Sequence, residues 1–295
     1  MITGFSIIID DDVLYISNEN KYPTFEIVLF VQKLISSLNP KNFWRLTDIY
    51  FEGETSKERM IIKHLVTEND QNLFYCITGD FLSNSEEVSK LMTEYYEKVT
   101  VNYETAEIIQ KASKNSEFSK IIKLITGYLW DKYREPLEDE KIELKCSDTE
   151  NKIIYCGISF QGLPIISQLY DKTLLYNFHR EITNENIELF SSNISAKLAT
   201  IAMNTQIRAK TNIKEVHFDD LGDNGCKKII HYSNINNYSL DFIASGDFVK
   251  IKEIFKQLKD NISQEQVLKN DFMGDLKPYR YLKTHLDDMI LQFDQ

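Results

Sequence analysis

Slid against itself by 167 residues, the chain lines up with its own second half across three successive β-rich segments. Asp48-Ile49-Tyr50-Phe51-Glu52 falls on Glu215-Val216-His217-Phe218-Asp219, Ile62 on Ile229, His64 on His231, Leu73 on Leu240, and Gly79-Asp80-Phe81 on Gly246-Asp247-Phe248. One register through three strands and two loops implies loops of equal length, which unrelated β-segments seldom share. The opening hairpins align at a shift of 153, through Gly4-Phe5-Ser6 and Gly157-Ile158-Ser159, and the difference of 14 residues reads as an insertion near Asp171 to Asn186. A repeat of this kind restricts the chain to two similar halves, and 295 residues exceed the usual size of one core.

Hydrophobic periodicity gives each half the same element order. Ile2 to Ile9 and Val13 to Ser17 read as a hairpin turning at Asp10-Asp11-Asp12. A helix with Pro23 in its first turn continues to Leu38, where Asn39-Pro40 stops it. Leu46 to Glu52, Arg59 to Thr67 and Asn72 to Thr78 form an antiparallel meander. Asp80 is placed to cap a helix with Val88, Leu91, Met92 and Tyr95 on one face, and a later helix carries Phe118, Ile121, Ile122, Ile125 and Leu129. The second half repeats this with strands at 152–160, 163–170, 213–219, 226–233 and 238–245. Its helices run from about Ile187 to Gln206, through Val249 to Ile262, and beyond Pro278. Each half is thus expected to be ββαβββαα.

Between them the chain turns strongly charged, with Pro136 and Glu138-Asp139-Glu140, which sets the expected boundaries at 1–135, a linker at 136–151, and 152–295. Ile142, Leu144 and Cys146 alternate with charged residues there, a pattern that also suits an added edge strand.

Charge excludes some functions. With 34 Lys and Arg against 45 Asp and Glu, the net charge of −11 opposes a phosphate backbone or an anionic lipid surface. The four cysteines, Cys76, Cys146, Cys156 and Cys226, have neither C-x-x-C spacing nor histidines at zinc-ligand spacing, and no stretch reaches the ~18 apolar residues of a membrane span. A reduced cytoplasmic setting is expected. There is no Walker-type or G-x-G-x-x-G phosphate loop, so a nucleotide would have to be held by a partner. Asp10-Asp11-Asp12 lacks the ligand spacing of a calcium loop and reads as a solvated turn. His64 and His231 lie in strands without an associated nucleophile motif, and Gly222-Asp223-Asn224-Gly225 reads as a hairpin connection. No catalytic residue, metal ligand or cofactor site is expected, and the chain is read as a non-enzyme.

The order ββαβββ followed by helices, the helix between hairpin and meander, and the G-D-F step out of the fifth strand resemble the longin domain of the profilin-like longin and roadblock superfamily. Roadblock proteins usually carry a helix before the first strand, and this chain begins its first strand at Ile2, so longin is the closer likeness. The resemblance implies an α+β fold of two five-stranded antiparallel sheets, each of order 2-1-5-4-3, flanked by helices. It also implies a tandem scaffold or regulator of a small Ras, Rab or Arf-like GTPase, or of another longin or roadblock subunit. Without a heptad segment or anchor, a fusion role is disfavoured. The alternative reading is a small-molecule sensor, because profilin-like sheets also build PAS and GAF modules.

That sheet order leaves each third strand on an edge, and an edge needs cover. Ile49 and Phe51 are therefore expected to approach Val216 and Phe218 in an intramolecular pseudo-dimer, with the first helices of the two halves packed alongside. Phe43 and Trp44, between helix and third strand, either close the core or anchor a partner. Trp130 faces the same choice, with packing between the halves preferred, and Asp287-Asp288 reads as a solvated helix face.

Overall fold

The computed structural model describes residues 1–38, 40, 44–54, 57–82, 85–138, 151–177, 183–222 and 226–293. The first half contributes β1 (Ile2–Ile9), β2 (Asp12–Ile16), α1 (Tyr22–Leu38), β3 (Trp44–Glu52), β4 (Lys57–Val66), β5 (Asn72–Gly79), α2 (Glu86–Asn102), α3 (Ala106–Ala112) and α4 (Ser116–Glu138). The second contributes β6 (Lys152–Phe160), β7 (Leu163–Leu169), α5 (Asn184–Ala209), β8 (Asn212–Asp220), β9 (Cys226–Ile235), β10 (Tyr238–Ser245), α6 (Phe248–Ile262) and α7 (Arg280–Phe293). The possible edge strand at Ile142, Leu144 and Cys146 lies outside the described residues.

All ten strands form one antiparallel sheet, ordered β2-β1-β5-β4-β3-β8-β9-β10-β6-β7. Each half therefore has the strand order 2-1-5-4-3, and the halves meet through β3 and β8. Side chains alternate between the faces of a sheet, so each strand feeds two cores. One core is common to both halves: Phe25, Val28, Val31 and Ile35 of α1 and Ile194, Leu198 and Ile201 of α5 lie over Ile49, Met60, Phe74, Val216, Phe218 and Ile230. We call this the front face. On the back face, α2, α3 and α4 cover the first half, with Tyr95, Phe118 and Leu129 over Phe5, Tyr75 and Ile77. There α6 and α7 cover the second half, with Phe255, Leu258 and Leu286 over Ile158, Leu240 and Phe242. At roughly 1.5–3 kcal/mol for each large apolar side chain removed from water, the shared front core is the main force holding the halves together.

Helix ends follow their capping chemistry. In the second half Asp247 caps α6, accepting from the N–H groups of Val249 at 2.9 Å and Lys250 at 3.1 Å. In the first half Asp80 does not play this part. Its N–H donates to the Met1 carbonyl at 3.0 Å, and α2 starts six residues later, behind a cap in which the Ser85 hydroxyl accepts from Val88 N–H at 3.0 Å. The G-D-F step recurs in sequence, but only the second copy opens a helix. The first half also contains one helix more than expected: α3, capped by Thr105, makes it ββαβββααα. In α5, the Thr183 cap moves the start to Asn184.

The ladders also revise the fixed shift. Cys76 pairs with Ile62, but the residue 167 positions on, Ile243, pairs with Ile230 instead of Ile229. The β4–β5 connection is a five-residue loop, Thr67 to Gln71, whereas β9 and β10 join through Asn236 and Asn237 alone. The loops are thus unequal in length. Consequently His64 and His231 are not structural counterparts. His64 shares the front face with Met60 and Ile62, while His231 lies on the back face, stacked on Phe255 with ring centroids 4.8 Å apart. Followed strand by strand, the row Ile77-Ile61-Asp48 corresponds to Ala244-Ile229-His217, and the rows meet because Asp48 and His217 are direct partners. The local two-fold relating the halves passes through that pair.

Candidate functional site

The residues singled out as an interface come together at the β3–β8 junction. Ile49 is the partner of Val216, Leu46 of Phe218 and Phe51 of Ile213, and all are buried. Trp44 is buried with them, its ring 5.0 Å from that of Phe218, and its Nε1–H donates to Asp220 Oδ2 at 2.8 Å. Lys228 Nζ reaches the same Asp220 oxygen at 3.1 Å, so the indole closes the core and ties the halves through a buried carboxylate. Phe43 lies outside the described residues. Helices α1 and α5 pack against each other above this junction, with Arg208 paired to Glu26 at 2.9 Å. None of these apolar residues is open to a separate partner. Trp130 packs inside the first half, 6.1 Å from Phe5, instead of between the halves. Asp287 is no solvated face either: its carboxylate accepts from Gln168 Nε2 at 2.9 Å and Tyr170 Oη at 2.9 Å, holding α7 to the β7 hairpin.

On the back of the same junction lies a chain of alternating charge. Arg59 Nη1 donates to Asp48 Oδ1 at 2.6 Å, and Asp48 Oδ2 is 3.2 Å from His217 Nδ1. His217 Nε2 is 3.0 Å from Glu215 Oε2, whose other oxygen is 2.9 Å from Lys252 Nζ. Burial alone would neutralise His217, yet Asp48 and Glu215 outweigh it and raise its pKa, favouring an imidazolium. Burial likewise resists ionisation of Asp48 and Glu215, but His217 with Arg59 in one case, and with Lys252 in the other, holds both carboxyls below their usual range. His217 also rests on Phe248 of α6, centroids 4.4 Å apart. A histidine clamped between two carboxylates has no free nitrogen to act as a base, so this chain of charges fixes register. His231, pushed down to about 3 by burial, and His64, pushed down to about 4, are neutral at neutral pH.

A second feature lies on the front face beneath α5. In the first half Phe74 is flanked by Ile8 and His64, and Ile8 and Phe74 are packed into the shared core. The corresponding row of the second half is Gly157, Asp241 and Tyr232, so the ladders set Gly157 against Ile8 and not against Gly4, as the hairpin shift of 153 does. A carboxyl replaces a phenyl ring, and a glycine replaces an isoleucine. Asp241 is 0% exposed, and neither of its oxygens has a hydrogen-bond partner. Tyr232 Oη on the same face is buried and equally unpartnered, and the buried Tyr155 hydroxyl turns toward Ser195 and Ser167. With no cation or donor set beside it, burial pushes the Asp241 carboxyl up to about 8. A cleft of about 360 Å³ beneath α5 is lined by Ala199, Ala202 and Met203 and, for the most part, by polar residues such as Gln206, Lys214, Asn234 and Ser239. Tyr232 belongs both to the cleft and to the buried group.

Among the described residues no cluster of His, Cys, Asp or Glu is arranged to hold a metal ion, and no helix is long and apolar enough to cross a membrane. The Asp10 carboxylate, one of the three turn aspartates, accepts from Asn72 N–H at 2.8 Å and so closes the end of the sheet. No protein-family model and no curated protein sequence matches the chain.

The junction is visible in the sequence because its apolar residues recur in both halves. The Asp241 site is not, since the fixed shift sets Asp241 against Phe74 as one mismatch among many, and only burial distinguishes it.

Proposed function

We propose that the chain is a non-catalytic interaction protein of longin type, a scaffold or regulator for a small GTPase of the Ras, Rab or Arf kind or for another longin or roadblock subunit in the cytoplasm. The observation that carries this reading is the β3–β8 pairing. Each half's third strand is covered by the other, so the chain forms a two-lobed platform by itself, with α1 and α5 side by side on one face. That helix layer carries exposed apolar side chains, Leu189, Met203 and Ile207 on α5 and Tyr22 at the start of α1, which supply contact area for a partner. The fold analogy contributes the partner class and little more.

The test is recovery of partners from native cytoplasm with the full chain as bait, with GDP, a GTP analogue or EDTA added in parallel. A regulator is expected to retain a small GTPase, most strongly its nucleotide-free form in EDTA. The double variant Leu189→Glu, Ile207→Glu is expected to abolish recovery without changing the melting temperature. Recovery of no GTPase under any of the three conditions counts against this reading. The cleft beneath α5 favours a second reading, a small-molecule sensor, and a metabolite co-purifying with the chain would support it.

A further inference from the structure

The ten-stranded sheet ends at β7 on one side, and an edge strand offers backbone groups that the sheet itself does not use. The N–H of Tyr170 donates to the Ile154 carbonyl at 2.9 Å, which turns Tyr170 toward β6. Backbone groups alternate in direction along a strand, so those of Leu169 and Ser167 turn away from β6 to the open side. Pro164, which has no N–H to offer, closes the other end of this edge.

A cavity of about 620 Å³ lies along this edge, with Pro164 to Ser167 as its floor. Helix α5 bounds it in front through Glu188 and Ser192, and Leu276 with Arg280 and Lys283 of α7 bounds it behind. The cavity thus continues the sheet between two helices, in the place an eleventh strand would take. In a chain of net charge −11 its lining holds the opposite balance, Arg280 and Lys283 against Glu188 alone. Both cations are exposed on the first turn of α7, which contains no acidic residue, and among the described residues neither is in an ion pair. At the far edge of the sheet β2 begins beside Asp10 and Asp11 and would repel an acidic strand. A second copy added edge to edge, with faces matched, would set α7 against α7 and so Arg280 and Lys283 against their own equivalents.

We propose that the β7 edge takes an extended acidic segment of a partner protein as an eleventh strand, paired to the backbone of Ser167 and Leu169, with carboxylates facing Arg280 and Lys283. Side chains of an added strand alternate between the faces, so the intervening positions face Glu188 and Ser192 and suit hydroxyl residues. Backbone pairing supplies the attachment, and the two cations select the charge. The proposal rests on neither the GTPase reading nor the sensor reading.

The test uses a short fluorescein-labelled peptide of alternating glutamate and threonine as probe, its anisotropy followed on titration with the full chain. A peptide of alternating lysine and threonine, and the acidic peptide with a central proline, are the controls. The acidic peptide is expected to saturate one site and to raise hydrogen-exchange protection at the Ser167 and Leu169 amides. Both controls should bind at least about tenfold more weakly, because lysine reverses the charge and proline removes a backbone donor. Arg280→Glu combined with Lys283→Glu, at exposed positions, should exchange the preference, so that the lysine peptide binds about tenfold more tightly than the acidic one. Circular dichroism checks that this variant folds; if it does not, the three peptides on wild type decide alone. Equal binding of the acidic and lysine peptides would overturn the proposal, as would binding without new protection in β7. If no peptide binds, the proposal fails, whatever partner the α1 and α5 face takes.

Discussion

The Tyr155 hydroxyl lies so close above Gly157 that a Cβ built on the glycine would stand 2.0 Å from Oη and 2.8 Å from Cζ. Both residues project from β6 onto the front face, and Tyr155 is fully buried, so its ring has no free space to retreat into. Gly157→Ala is therefore expected to destabilise the fold by about 1–3 kcal/mol, the usual range for overpacking a filled interior. Gly127, in the middle of α4, makes the contrast, because a Cβ added there would meet nothing within 4 Å. Gly127→Ala should stabilise by about 0.5–1 kcal/mol through helix propensity alone. Urea denaturation of both variants measures the pair.

Asp241 makes stability depend on pH in a direction opposite to most carboxylates. Its folded pKa, about 8, lies above the ordinary value, so without ligand the folded state holds a proton that the unfolded state releases. The sign follows: stability falls as pH rises from roughly 4 to roughly 8, by on the order of 1 kcal/mol per unit at most. Asp241→Asn should flatten that slope and be more stable than wild type at pH 8. Melting temperatures across this range decide it, and an unchanged slope would show that Asp241 is paired in solution.

His217 titrates the other way. Its pKa is raised by Asp48 and Glu215, so the stability it contributes is complete below the ordinary histidine value near 6.5 and is lost as pH climbs through the raised folded value. The facing groups are Asp48 and Arg59 from β3 and β4, Glu215 from its own strand, and Lys252 and Phe248 from α6. The stability gap between wild type and His217→Gln is therefore expected to narrow with rising pH. Asp48→Asn, which weakens the partner of buried Arg59 and of His217, should cost about 3 kcal/mol near pH 6.

At the front of the junction, Ile49→Ala should cost about 2–5 kcal/mol by leaving a cavity between the halves. Because the front core is shared, hydrogen exchange should show protection falling together in β4 of the first half and β9 of the second. Loss confined to one half would mean that the junction is not part of a common cooperative unit. Trp44→Phe keeps most of the buried ring but removes the donor to Asp220, with an expected cost of about 1–2 kcal/mol.

Much of this architecture is legible in the sequence because strand periodicity and repetition both report burial directly. The ten strands lie within a few residues of their expected limits, and the edge-covering argument brings Ile49 next to Val216. Whatever depends on a single residue of loop length is not legible. Between ladder partners the first half runs from Ile62 to Cys76 and the second from Ile230 to Ile243, one residue fewer, and that step turns His64 and His231 to opposite faces, although their sequence surroundings match. The short helix α3 is seven residues long, too brief to show a periodic stripe. The chain of charges from Arg59 to Lys252 draws on β3, β4, β8 and α6, and no sequence window contains it. Asp241 gives no sign of its burial, because an acidic residue in a strand ordinarily faces water.

Two copies of a single half, joined about a true two-fold axis, would set every residue on that axis against itself: aspartate against aspartate, or histidine against histidine. Neither arrangement can neutralise its own charge. With two different halves in one chain, an acid can face a base there, as Asp48 faces His217. The pairing thereby discriminates against the homotypic assemblies that its own symmetry would otherwise permit.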